Sequence, residues 1–161
     1  MSSTPLMKAV KANHGEEVAR LIGQGADVNQ LDPNGDPPLV MAAYMGHTEI
    51  TRKLLEAGAD VRAVDPGMKA TALHAAAYAG RTEDARLLIQ YGIDIDAQGP
   101  YNGYTALHDA IWQNNVATAR VIVEAGANLS LKSHDGQTPL EMAKARYRHE
   151  IVALIEAAQR S

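Results

Sequence analysis

The chain has 161 residues, with 15 Lys and Arg against 19 Asp and Glu, a formal net charge of −4, and no cysteine. That length is enough to bury a sizeable core, and the missing thiols exclude a disulfide framework and thiolate chemistry. The charge is spread along the chain, without the basic stripe that a nucleic-acid binder concentrates on one face, so no nucleic-acid partner is expected. No apolar run approaches the roughly 20 residues of a membrane span, and no membrane partner is expected either. Phenylalanine is absent, so helices must close over small side chains. Alanine suits that role, having the best helix propensity and allowing close backbone approach.

The first unit runs from about Thr4 to Gly35. Met1-Ser2-Ser3-Thr4 leads straight into it, leaving no room for a signal peptide. A cytoplasmic location is therefore the default, although a chain trimmed of its leader would read the same. Thr4 is placed to cap a helix that starts with Pro5, where a missing N–H does no harm. Leu6, Ala9 and Val10 follow helical spacing. His14-Gly15 is read as the break, and a second helix from Glu16 to about Ile22 buries Val18, Leu21 and Ile22. Gly25 ends it, and Asp32-Pro33-Asn34-Gly35 is a cluster of turn formers.

The same pattern returns in units 36–69, 70–103, 104–136 and 137–161. Leu6, Leu39, Leu73, Leu107 and Leu140 lie 33, 34, 34 and 33 residues apart. A fixed period in this range marks a stacked-repeat architecture, so the fold class expected is an all-α repeat solenoid, two helices and a turn-rich link per unit, in one domain. The links at Asp65-Pro66-Gly67-Met68-Lys69 and Gly99-Pro100-Tyr101-Asn102-Gly103 each carry a one-residue insertion.

Thr71-Ala72-Leu73-His74-Ala75-Ala76 and Thr105-Ala106-Leu107-His108-Asp109-Ala110 stand in equivalent places. Gly25-Ala26-Asp27-Val28 and Gly58-Ala59-Asp60-Val61, with variants at 92–95 and 126–129, close the second helices. In these motifs and in their period the chain resembles the ankyrin-repeat proteins, over essentially its whole length. The resemblance implies a helix pair followed by a β-hairpin finger in each unit, stacked into a curved solenoid. It also implies that His74 and His108 are structural, bonding to the hydroxyls of Thr71 and Thr105 and to neighbouring backbone. Met7, Val40 and Glu141 replace the histidine in the other three units, of which the first and fifth would be end caps.

Other chemistry finds little support. Stacked units lie roughly 10 Å apart, too far for His74 and His108 to share one zinc at about 2 Å. Asp32-Pro33-Asn34-Gly35-Asp36 has the look of a calcium loop, but the twelfth position, where a bidentate Glu is needed, is Ala43. No catalytic motif stands out, and neither an enzyme nor a cofactor is expected. Lys144, Arg146, Arg148 and His149 form the nearest thing to a basic cluster and are read as the solvated surface of a terminal repeat.

The aromatic residues carry the functional reading. Tyr44, Tyr78 and Trp112 recur at intervals of 34 residues, on the first helix of units two, three and four, next to an apolar stripe that is complete without them. In the resembling family this column lines the concave binding groove. Tyr101 and Tyr104 on the third finger and Met68 on the second open onto the same face. The candidate partner-binding residues are Tyr44, Met45, Met68, Tyr78, Tyr101, Tyr104, Asp109, Trp112 and Gln113, with Asp36 at the rim. Exposed Tyr and Trp are typical interface anchors. The function expected is a monomeric, non-enzymatic module that binds a protein or peptide partner. A self-associating subunit is the alternative, and a small-molecule or metal binder is disfavoured because solenoid surfaces are shallow.

Overall fold

Within a computed structural model that describes residues 3–161, the units fold as successive helix pairs. The expectation of no leader falls partly on Met1 and Ser2, outside the described residues. The first pair is α1 (Pro5–Lys11) and α2 (Gly15–Gly23), followed by α3 (Pro38–Met45) and α4 (Thr48–Glu56). Next come α5 (Ala72–Ala79) and α6 (Thr82–Gln90), α7 (Ala106–Trp112) and α8 (Val116–Glu124), then α9 (Pro139–Ala145) and α10 (His149–Arg160). First helices pack on first helices, α1 on α3, α5, α7 and α9 in succession, and second helices likewise from α2 to α10. Among the described residues no helix is long and apolar enough to cross a membrane.

The longest helix has 12 residues, and helices shorter than about 12–15 residues are marginal alone in water. Packing therefore holds them. Leu39, Leu73 and Leu107 are all but fully buried, together with the alanines at 42, 43, 76, 77 and 110. Those alanines let α3, α5 and α7 approach closely. Leu140, on the fifth unit, is only partly buried.

A left-handed residue turns the chain between the helices of each pair. It is Asn13, Gly46, Gly80, Asn114 and Tyr147 in turn, with φ between +57° and +74°. This corrects the break read at His14-Gly15, since Asn13 makes the turn and Gly15 is the first residue of α2. Asparagine tolerates this conformation and tyrosine does not favour it.

The links between pairs are tight turns, not hairpin strands. The one bridge of β type among the described residues joins Val64 and Thr71, which corrects the expected β-hairpin fingers. Each link is closed by a backbone bond: Asp32 N to Asp36 O, Asp65 N to Ala70 O, Gly99 N to Tyr104 O, and Ser133 N to Gln137 O. The middle two spans are one residue longer, as the insertions require. Side chains supply the remaining partners. Asp32 Oδ1 accepts from Asn34 N and Asp36 N at 2.9 and 3.0 Å, and Asp65 accepts from Gly67 N, Met68 N and Ala70 N. Asp32, in the loop with a calcium-loop look, thus serves a turn.

Polar staples also link the second helices. Thr48 and Thr51 on α4 each donate a hydroxyl at 2.6 Å to the buried carboxylate of Asp84 on α6.

Two stability tests follow. Leu73→Ala or Leu107→Ala should cost about 2–5 kcal/mol as a core truncation, and an unchanged urea midpoint would contradict the packing described. Tyr147 is 78% exposed at φ +59°, so Tyr147→Gly should raise the urea-derived stability by about 1 kcal/mol by relieving backbone strain.

Candidate functional site

Units three and four are clasped to the links that follow them by buried imidazoles. His74 Nε2 lies 2.9 Å from Tyr104 O, and His108 Nε2 lies 3.0 Å from Gln137 O. A carbonyl only accepts, so Nε2 carries the proton in both rings. Nδ1 is then the acceptor for the hydroxyls of Thr71 and Thr105, both at 2.9 Å. The threonine oxygens in turn accept from the backbone N–H of His74 and His108, and the threonine backbone N–H donates to Nδ1, which closes capping boxes at the starts of α5 and α7. Unit five closes the same box with Thr138 and Glu141.

A second set of bonds ties down the ends of the first helices. Arg81 Nε donates to Tyr44 O at 3.1 Å. Asn115 Nδ2 donates to Ala77 O and Tyr78 O at 2.8 and 3.1 Å. Arg148 donates to Ile111 O and Trp112 O at 3.0 and 2.8 Å. These carbonyls would be orphans at a helix C-terminus, and each is satisfied by the unit that follows. The three that belong to Tyr44, Tyr78 and Trp112 fix the backbone from which the aromatic column projects.

The column lines a groove of about 600 Å³ that runs along the first helices of units two to four, bounded on the other side by the links. Tyr44, Tyr78 and Trp112 are 51%, 47% and 41% exposed. Met68 comes in from the second link, Tyr104 from the third, and Asp36 and Asp109 lie on the groove wall. The other sequence-derived candidates are not among the lining residues. Met45 is partly buried at the end of α3, Gln113 is the exposed C-cap of α7, and Tyr101 is exposed at the tip of the third link.

Tyr104 has two roles. Its carbonyl takes the His74 clasp, while its ring stacks on His108 with centroids 5.4 Å apart and approaches Trp112 at 6.1 Å. Trp112 is not free on both sides. The Arg146 guanidinium from unit five sits 3.8 Å from its ring centroid, a cation–π contact.

Burial sets the electrostatics. His74 and His108 are held below the ordinary imidazole range by desolvation, against which the bonds to carbonyls work only in part. Desolvation alone lifts Asp109 to about 7. Asp36 is raised by desolvation and then by the neighbouring carboxylates of Asp32 and Asp65. No hydrogen bond or ion pair to either the Asp36 or the Asp109 side chain is present among the described residues.

A family model described as ankyrin repeats (3 copies) matches residues 1–65 and 63–133. The chain belongs to the ankyrin-repeat family. The fifth helix pair lies beyond the matched residues and continues the stack. None of the curated proteins compared with this chain matches it.

Sequence reasoning missed two features of this ankyrin array. Of the basic group near the end, Lys144 and His149 are exposed as the solvated surface first read, whereas Arg146 and Arg148 are half-buried against unit four. Arg146 covers Trp112, Arg148 caps α7, and Lys144 lies 3.8 Å from Glu156. The signal was present in the register, since Arg148 falls 33 residues after Asn115 and 67 after Arg81, all at one position of the unit. The anomalous carboxyl of Asp109 was visible only as a polar residue where the neighbouring units carry Met41 and Ala75.

The two kinds of buried group give opposite pH dependence. The histidines have lowered values in the folded state, so their contribution is present above the unfolded value of about 6.5 and is lost as the pH falls through the folded values. Asp109 is raised, so its contribution is present below the unfolded value of about 3.9 and is lost as the pH rises through about 7. Asp109→Asn should therefore stabilise the protein at pH 8 by between about 1 and 4 kcal/mol, with the gain vanishing near pH 4. Urea titrations at the two pH values check this, and a gain that does not depend on pH would contradict it.

Proposed function

We propose that this ankyrin array is a protein-binding module without a reaction of its own, which takes a partner along the groove lined by Tyr44, Tyr78, Tyr104, Trp112 and Met68. Ankyrin repeats are generally protein–protein interaction modules, and the family membership supports the class of function. One observation carries the choice of surface. Tyr44 and Tyr78 project half-exposed from helices whose cores are closed without them, and exposed aromatic surface of this kind marks an interaction site. A bound segment would cover the rings and remove their apolar area from water, while the clasped links restrict the rearrangement needed on binding.

The test uses Tyr44→Ala/Tyr78→Ala. Trp112 is spared because it also supports Arg146. The double variant should keep its helical spectrum and its urea midpoint within about 1 kcal/mol, since both rings are exposed. A pull-down from lysate of the source cells with wild type and variant as baits should retain a protein on the wild type alone. Retention of the same set by both baits would remove the groove as the binding site. Light scattering should give one monomer mass at all concentrations, whereas a mass rising with concentration would favour self-association through this face.

A further inference from the structure

The groove has a charge as well as a shape. The groove-lining side chains that carry full charge when ionised in the neutral range are Asp36, Asp65 and Asp109, and no Lys or Arg lines it. Asp65 is committed to three backbone N–H groups of its own link. Asp36 and Asp109 are different, since each is partly removed from water and held by no donor. A desolvated carboxylate without a partner is costly, and a cation brought to it restores what burial took away. An acidic segment would meet repulsion in the same place.

The surroundings of Asp109 favour such a cation. Asp109 and Trp112 stand three residues apart on α7, which puts them on one face of the helix. The equivalent place in the preceding unit is Ala75, whose small side chain leaves room beside the carboxyl. Tyr78 and Tyr104 line the same groove. Lysine and arginine heads are attracted to the faces of such rings. Trp112 already holds one guanidinium, that of Arg146, which stacks on the ring without pairing to Asp109.

We propose that the partner segment is basic, an extended stretch of another protein whose lysine or arginine head sits against Asp109 among the rings of Tyr78, Tyr104 and Trp112, with a second basic residue at Asp36. This rests on the groove being the binding surface. Asp36 opens unit two and Asp109 lies in unit four. Two steps of packed helices at about 8–10 Å each, spanned by chain at about 3.3 Å per residue, place the two basic residues roughly five or six apart.

The experiment is selection of a random 12-residue peptide library on the wild-type protein, with counter-selection on Tyr44→Ala/Tyr78→Ala. Selected peptides are then titrated by fluorescence anisotropy against wild type, Asp109→Asn and Asp36→Asn, each confirmed as folded by circular dichroism. The expected peptides carry Lys or Arg at two positions five or six residues apart. They should bind Asp109→Asn at least about tenfold more weakly than wild type and lose affinity as sodium chloride is added. Peptides that depend on the tyrosines but show no basic preference, or that bind Asp109→Asn as tightly as wild type, would overturn the basic partner and leave the groove standing. Selection of no peptide that distinguishes wild type from the tyrosine variant would overturn both.

Discussion

The neutral imidazole that joins one unit to the next link is the contact on which the middle of this array depends. His74 spans from the hydroxyl of Thr71 to the carbonyl of Tyr104, and His108 repeats the span from Thr105 to Gln137. Each ring uses both nitrogens, one as acceptor within its own unit and one as donor to the following link. A protonated ring has no acceptor for the threonine hydroxyl, and it carries a charge into a buried site. The clasp therefore works only in one protonation state and one tautomer, which burial itself favours by lowering the affinity for the second proton. Met7 and Val40 occupy the same position in the first two units as buried apolar residues. The early links rely instead on Asp32 and Asp65, whose carboxylates gather the N–H groups of their own turns.

A division of labour follows along the stack. Polar groups that recur at the repeat period, the imidazoles and the C-capping Arg81, Asn115 and Arg148, are consumed by the contacts between units, as is the single Thr–Asp84 staple. What these contacts leave unsatisfied lies on one face. The half-exposed rings of Tyr44 and Tyr78 and the free carboxyls of Asp36 and Asp109 share the groove. None of them holds the stack together. A raised acid with no donor and exposed rings beside it are features that a search for stability alone would remove, and Asp109 sits where alanine or methionine serves the neighbouring units.

Much of the fold was legible in the sequence because a repeat states its grammar five times. The period of Leu39, Leu73 and Leu107 gave the stack, and the resemblance gave the bond between His74 and the Thr71 hydroxyl. Two details escaped for physical reasons. The hairpin strands implied by the resemblance are absent because each turn runs straight into the next first helix: Thr71, the partner of Val64 in the one bridge among the described residues, is already the N-cap of α5. The turn at Asn13 was misplaced because Gly15, two residues on, is the more familiar breaker. For the site, a 34-residue spacing was enough to align Tyr44, Tyr78 and Trp112, since alignment depends only on register. Spacing could not tell which neighbours turn into the groove. Met45 and Gln113 sit one residue past members of the column and, a helical step of about 100° away, do not line it. Nor could sequence foresee that Arg146, from another unit, would lie on Trp112.

The repeating histidines are spent on structure, each a neutral ring bonded at both nitrogens. Long-range ¹H–¹⁵N NMR of the imidazoles of His74 and His108 through an acid titration reads both the tautomer and the charge. The expected result is neutral rings protonated at Nε2 at pH 7, which stay neutral below the ordinary imidazole range. A ring protonated at Nδ1, or one that titrates freely near pH 6.5 in the intact protein, would contradict it and return the histidines to the list of groups available for chemistry.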